Sequence, residues 1–563
     1  MPHPSRLFVL LAPFLALVHA SAIPHVPQPS HGPHEDPLVV HTSSGFVHGT
    51  INPATPHVHC VLGVPYAQPP VGPLRWEPPR PLSQPGANVQ ATALPPSCMQ
   101  YLTTLGNSLY VRDVLQFNLQ GLNRTGPVSE DCLTLSVWTP ANPIPAAGGS
   151  NLDHEWNGEG HEWNREGHGR KHPGLPVLVF IYGGGFTTGG EDVPYQIPAQ
   201  WVERTQDHVV VSFNYRVNLF GFPNAKGLSD QNLGLLDQRL VVEWLQQNIA
   251  GFGGDPNRMV LWGQSAGAMS VDFYNFAHPS DPIVTGLIMD SGTVFLPIRS
   301  MDTAHSNFSF VADHVGCGGL SSDGAAELAC MKAVPATTLE TFVANYQDSG
   351  ALPRISFLPI ADNKVVFANY TERALAGLQA KLVSPTWSLL TQNGTTKNNS
   401  QPAIVGTNAQ DGVPFAPYNP AGPDPLIAQA ALLNVFFCPA TETIRVRQET
   451  GLTTYRYLYS GNLSNVSPRP WMGAYHSAEL PLIMGTHPDF RGPSSELEYA
   501  TSEAMQDAWV AFARDPVGGL AGQGWMPYTL GANDVREFGA GVAARDASVA
   551  ANEAMCNGAA AAM

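Results

Sequence analysis

RMVLWGQSAGAMSV, residues 258–271, decides how the rest of the chain is read. An apolar run from Met259 to Trp262 reaches a glycine-flanked turn, and small residues then open a helix. The turn is Gly263-Gln264-Ser265-Ala266-Gly267, a G-x-S-x-G match. A serine on such a sharp strand-to-helix turn projects its Oγ into the open, and the flanking glycines avoid side-chain clashes in a strained backbone. The helix N-terminus behind it supplies N–H groups and partial positive charge for a developing oxyanion.

Working outward, LTLSVWTP (133–140), LPVLVFIYGGGF (175–186) and HVVVSFNYRV (208–217) are apolar, β-branched runs closed by turn residues. They predict buried strands. LGLLDQRLVVEWLQQNIAGF (233–252) spaces apolar residues three and four apart and predicts an amphipathic helix. Strands alternating with helices predict an α/β fold, with a mostly parallel central sheet, helices on both faces and large loop insertions. VLGVPYAQPPVGPLRWEPPRP (61–81) carries too much proline for a central strand and is expected as a loop over the body.

A second glycine element, Gly183-Gly184-Gly185, ends the strand at 175–182. Glycines let backbone N–H groups approach a ligand closely. The N–H groups of Gly184, Gly185 and Ala266 are therefore the candidate oxyanion hole. In this kind of fold the nucleophile is followed by an acid and then by a histidine. Only His476 and His487 follow residue 400. His476 follows the strand-like TTYRYLYS and a loop, and is the candidate base; His487, after a Gly-Thr turn, is expected at the surface. Asp411, on the loop after AIVG, is the candidate acid, with Asp424 in a Pro-rich loop as the weaker choice.

The 563 residues would allow three or four domains by size, but no long linker divides them. Gly 54 and Pro 51 point instead to one domain with long loops, expected at 38–563. A flexible Pro- and His-rich segment is expected at 21–37. Before it, Arg6, the apolar run Leu7 to Val18 and Ala20-Ser21-Ala22 predict a signal peptide at 1–20, too short to span a bilayer. No transmembrane segment is expected in the remainder. Sequons at Asn123, Asn307, Asn369, Asn393, Asn398, Asn462 and Asn465 agree with a secreted, extracellular glycoprotein. That compartment permits disulfides, and seven cysteines leave one over.

The net charge of −17 with only 28 Lys+Arg argues against a nucleic-acid partner. The insertion at 141–174 holds an imperfect repeat, HEWNGEG and HEWNREG, with His154, His161, His168 and His172. Their spacing follows no closed ligand geometry, so a solvated low-complexity loop is expected, with no metal and no cofactor.

The combination of GVPYAQPPVGPLRW, SEDCLTLSVWTP, FIYGGGF, NYRVNLFGF, WGQSAGA, GTNAQDG, FFCPA and WMGAYHSAEL resembles the type-B carboxylesterase/lipase family, which includes the cholinesterases and secreted fungal lipases. The resemblance implies an α/β-hydrolase fold, a Ser265–Asp411–His476 triad and the oxyanion hole named above. It also implies disulfides Cys98–Cys132, Cys317–Cys330 and Cys438–Cys556, leaving Cys60 as a buried, unreactive thiol. Two departures stand out. Asp411 occupies a place where the family commonly has Glu, one methylene longer, and Gln264 stands where many members have Glu. The loop 98–132 contains no Trp, although cholinesterases use one there to hold quaternary ammonium, which argues against a choline ester.

The same loop predicts either a mobile amphipathic lid or a fixed flap, from the spacing of Leu109, Val111, Val114, Leu115, Phe117 and Leu119. The expected function is a secreted serine carboxylesterase acting on a small-molecule or lipid ester through an acyl-enzyme. The alternative is a true lipase with a lid at 98–132, and the remote one a non-catalytic binding module on the same fold. Oligomeric state is not legible.

Overall fold

The computed structural model describes residues 37–103, 109–114, 126–141, 174–380 and 401–559. The signal segment at 1–20, most of 21–37, the interior of 141–174 with its four histidines, and Asn123, Asn393 and Asn398 lie outside them. The chain divides into Met1–Pro37 and Leu38–Met563, and the second unit holds the sheet.

Among the described residues that sheet has eleven strands. In chain order they are β1 (Thr50–Ile51), β2 (Val58–Pro65), β3 (Thr134–Pro140), β4 (Leu175–Ile181), β5 (Val209–Phe213) and β6 (Gly254–Gln264). The rest are β7 (Gly286–Asp290), β8 (Ala403–Asn408), β9 (Thr454–Tyr459), β10 (Val535–Phe538) and β11 (Ala544–Ala547). In space the order is β11-β10-β9-β8-β7-β6-β4-β5-β3-β2-β1. From β5 across to β10 every neighbouring pair is parallel, and antiparallel strands close both margins.

Every residue of β4, β5, β7 and β8 is buried. Strands dry on both faces need cover on both, which explains why they read as continuous apolar runs rather than alternating ones. Cover comes from α1 (Leu233–Asn248), α2 (Ala266–Ala277) and α3 (Glu496–Arg514), all packed on the central strands. Residues 61–81 form the end of β2 and then a loop with one short turn of helix at Gly72–Leu74, so the proline-rich part lies outside the central strands. Among the described residues one helical stretch, Pro425–Glu449, is long and apolar enough to cross a membrane. Half of it is buried in the body, as in a core helix, and it establishes no transmembrane segment.

Strand order positions the site. β4 lies between β5 and β6, so the chain's progress across the sheet reverses there, and a crevice opens beyond the carboxyl ends of the strands at such a reversal. In register, Ile181 of β4 faces Gly263 of β6. The glycine loop and the serine turn each begin within two residues of that pair. Three disulfides, Cys98–Cys132, Cys317–Cys330 and Cys438–Cys556, tie down the loops and the C-terminal helix. Cys60 is buried, and burial pushes its thiol up to about 11, which leaves it unreactive.

Candidate functional site

Ser265 leaves β6 with φ 57° and ψ −122°, a left-handed conformation that a non-glycine residue adopts at a cost of about 1–3 kcal/mol. The surroundings hold it there. Its N–H donates to the Asp290 carbonyl at the end of β7 (2.8 Å), and its own carbonyl starts α2 by accepting from Met269 N–H (2.9 Å). The flanking glycines are dictated by close approach. A Cβ on Gly263 would lie 2.3 Å from Gly267, and one on Gly267 would lie 2.0 Å from the Ile181 carbonyl oxygen of the adjoining strand.

The glycine loop answers to the same crowding. Gly184 and Gly185 have φ of 108° and 63°, values that favour glycine, and the Gly184 carbonyl accepts from Thr187 and Thr188 N–H (both 3.1 Å). Phe186 then plugs the loop into a cluster with Phe222, Met269 and Phe273, fixing it against α2. Among the described residues, no protein acceptor pairs with the N–H groups of Gly184, Gly185 and Ala266.

β8 and β9 deliver the other two side chains. Asp411, fully buried on the loop after β8, receives three donors: His476 Nδ1 on Oδ1 (2.8 Å), and Ser291 Oγ (2.8 Å) and the Asn408 N–H (2.7 Å) on Oδ2. The shorter aspartate therefore reaches the imidazole. His476 is 3% exposed, with the rings of Phe436 and Phe415 at 4.5 and 5.4 Å. Its Nε2 lies 3.3 Å from the Gln264 amide nitrogen, so the residue beside the serine touches the imidazole directly. Ser265, Gln264, Gly183–Gly185 and His476 all line one cavity of about 410 Å³.

Two further carboxyls sit behind Asp411. Burial pushes Asp290 up to about 7, tempered by the Trp262 Nε1–H that donates to it (2.5 Å). Burial and the neighbouring Asp290 and Asp411 push Glu479 well above the usual carboxylate range, and the Asn408 amide donates to it. Ser291 and Asp290 lie outside every quoted motif, because their importance comes from strand neighbours remote in the chain; Asn408 and Glu479 lie inside GTNAQDG and WMGAYHSAEL, but nothing local marks their roles.

Two expectations are corrected. His487 is 2% exposed rather than at the surface, because Gly485 and Thr486 fold it back beneath Tyr499, with Nδ1 2.6 Å from Ser494 Oγ. Burial lowers it to about 4. Asn465 is 6% exposed, and its Nδ2 donates to the His487 carbonyl (2.9 Å) and Ser494 Oγ (2.7 Å), leaving a glycan no room. Asn369 and Asn462 are exposed and Asn307 half-exposed. Asp424 stands away from the imidazole and caps the helix Pro425–Ala431 through Leu426 N–H (2.8 Å). In the loop 98–132, Leu109 and Val114 are buried, Tyr110 OH donates to the His476 carbonyl (3.2 Å) and Asp113 pairs with Arg469 (2.9 Å). Leu115, Phe117 and Leu119 lie outside the described residues, as does the side chain of Val111.

The sheet, the serine elbow and the acid–histidine pair beside one cavity define an α/β-hydrolase acting on carboxylic esters. The model of the Carboxylesterase family matches residues 36–431 and 427–553, and the chain belongs to that family. It is 44% identical over 482 residues to a chlorogenic acid esterase of Aspergillus niger, covering 86% of this chain and 83% of that one. It is 40% identical over 519 residues to secreted lipase 5 of Gibberella zeae, covering 87% of each. A mouse cholinesterase is similar at 27% identity over 536 residues, covering 85% of this chain and 79% of that one. The protein is a carboxylic-ester hydrolase.

Proposed function

We propose that Ser265, His476 and Asp411 form the catalytic triad of a secreted esterase for compact neutral esters. Ser265 Oγ attacks the ester carbonyl carbon while His476 Nε2 takes its proton. The carbonyl oxygen, now an anion, is held by the N–H groups of Gly184, Gly185 and Ala266. The tetrahedral adduct collapses, the C–O bond to the alcohol breaks, and the imidazolium protonates the departing alkoxide. Water then repeats the sequence on the acyl-enzyme and releases the acid. Asp411 keeps the proton on Nδ1, so that Nε2 carries the lone pair that accepts the serine proton.

The observation that carries this reading is the His476–Asp411 hydrogen bond at the wall of the cavity that Ser265 also lines. Among the described residues no carboxylate lines that cavity, which favours a neutral substrate over a choline ester. The volume suits a compact ester, and the secreted relative agrees with an extracellular address. Ser265→Ala is expected to lower kcat on p-nitrophenyl acetate by about 10⁴–10⁶ without unfolding the protein, and an organophosphonate should label Ser265 alone. Near-parental hydrolysis by the variant overturns the assignment.

A lipase reading has one observation in its favour. Phe415, 46% exposed, borders the cavity, and the adjoining helix Pro425–Ala431 presents Leu426 and Ile427, 81% and 46% exposed. A p-nitrophenyl ester chain-length series separates the two, since a lipase prefers long chains and gains activity on dispersed triglyceride.

A further inference from the structure

Most polar side chains around the cavity already have partners. The hydroxyls of Thr187 and Thr188 donate to the Gly184 carbonyl (3.0 and 3.2 Å), Tyr101 donates to Gln347 and Thr103 to Asp348 (2.6 Å). Two amides differ. Gln196 is 6% exposed and Asn218 is 5% exposed, both line the cavity, and each carries a buried oxygen with no partner among the described residues.

Their settings hold both amides at the cavity wall. Gln196 Nε2 donates to the Tyr195 hydroxyl (2.7 Å), which commits the nitrogen and leaves Oε1 unpaired. Burial pushes the Tyr195 phenol upward, so it stays neutral as that acceptor. Asn218 is pinned through its backbone: its N–H donates to the Phe186 carbonyl (2.7 Å) and its carbonyl accepts from Phe222 N–H (2.8 Å). Its side-chain Oδ1 has no such tie. Buried acceptors are rarely left unpaired in native proteins, and an orphan at a functional cavity marks a place where a ligand supplies the donor. Both oxygens are uncharged, and among the described residues no carboxylate lines the cavity to offset a buried cation, so the matching donor is a hydroxyl.

Building on the ester-hydrolase reading above, we propose that Gln196 and Asn218 are specificity-determining residues that accept hydrogen bonds from hydroxyl groups of the substrate. The favoured substrates are then esters that carry free hydroxyls close to the scissile bond, on a phenolic acyl group or on a polyol alcohol. A site built to pair with a hydroxyl rejects analogues lacking it, because its own acceptors are left bare.

The test measures kcat/KM for methyl cinnamate, methyl 3,4-dihydroxycinnamate and glyceryl monocinnamate, with the parent protein, Gln196→Leu and Asn218→Leu. The parent is expected to favour at least one hydroxylated ester by about tenfold or more over methyl cinnamate. Either leucine variant should lose about 10- to 100-fold on that ester while methyl cinnamate changes less than threefold. Which hydroxylated ester suffers tells whether the donor sits on the acyl or the alcohol side. Comparing ratios between proteins cancels the intrinsic reactivity of each ester. Folded variants with unchanged ratios overturn the proposal but leave the esterase reading standing. A parent inert towards all three esters that still hydrolyses p-nitrophenyl acetate overturns the proposal, whereas one inert towards p-nitrophenyl acetate as well overturns the esterase reading. Should the variants not fold, inhibition of the parent by catechol and glycerol is compared with inhibition by their methyl ethers, and equal inhibition overturns the proposal.

Discussion

Replacing Asp411 by Asn is the sharpest perturbation of the triad, because the surrounding hydrogen bonds dictate how the new amide must sit. Asp411 Oδ2 accepts from the Asn408 N–H and from Ser291 Oγ. If the amide nitrogen took that position it would face a fixed backbone donor, so the amide oxygen must stay there and the NH₂ must take the place of Oδ1. The NH₂ then points at His476 Nδ1, 2.8 Å away. Two donors cannot share that bond, and the imidazole shifts its proton to Nε2, where it can no longer accept one from Ser265. Loss of the working tautomer costs about 10⁴ in kcat in other serine hydrolases, or about 5.5 kcal/mol of transition-state stabilisation. The fold should barely notice, since shape and two of three hydrogen bonds survive. The assay is kcat on p-nitrophenyl acetate alongside the thermal midpoint, with Asp424→Asn as a control. Asparagine caps a helix as well as aspartate does, so the control should keep parental values. An Asp411→Asn enzyme within tenfold of the parent would refute the reasoning.

Three other expectations follow from the packing. Asp290 is pushed up to about 7, above the ~3.9 of an unfolded chain, so its contribution to stability is complete in acid and is lost as pH rises towards 7. Melting at pH 5 and pH 7.5 should show Asp290→Asn removing about 2–3 kcal/mol of the parent's loss, and an unchanged pH dependence counts against the buried proton. Gly267→Ala would drive a methyl group into the Ile181 carbonyl, and should yield little soluble protein; a normally folded, active variant contradicts the elbow geometry. Cys438–Cys556 closes a span of 118 residues, and Cys556→Ser should cost about 2–5 kcal/mol, read as a lowered thermal midpoint in non-reducing buffer, with no change there if the bridge is idle.

The chemistry was more legible in the sequence than its support. Ser265, the glycine loop, Asp411 and His476, the residues proposed above for catalysis, stand out from local turn grammar plus chain order, and the turn signals are short-range. The alternation of apolar runs and amphipathic helix likewise announced a parallel sheet. Strand neighbours were not announced. Ser291 lies 120 residues from Asp411, and only the pairing of β7 with β8 puts them together. Gln196 and Asn218, the latter inside the quoted NYRVNLFGF, carry no local sign of their state, since nothing in the sequence distinguishes an orphaned amide from a solvated one. His487 was misjudged for the same reason: a Gly-Thr turn reads as surface until the helix 496–514 closes over it.

The antiparallel placement of β3 bears on how this chain has been able to change. Pro140 and Leu175, which bracket the histidine-rich stretch, both lie at the foot of the sheet, beside His57 and Gly253, whereas the serine and its partners stand at the head. At about 3.3 Å per residue, the seven residues of β4 put some 20 Å between the two. Inserted or deleted sequence at that lower junction leaves the reacting atoms where they were, which makes it a natural point for lineage-specific elaboration and a safe one for grafting a reporter peptide.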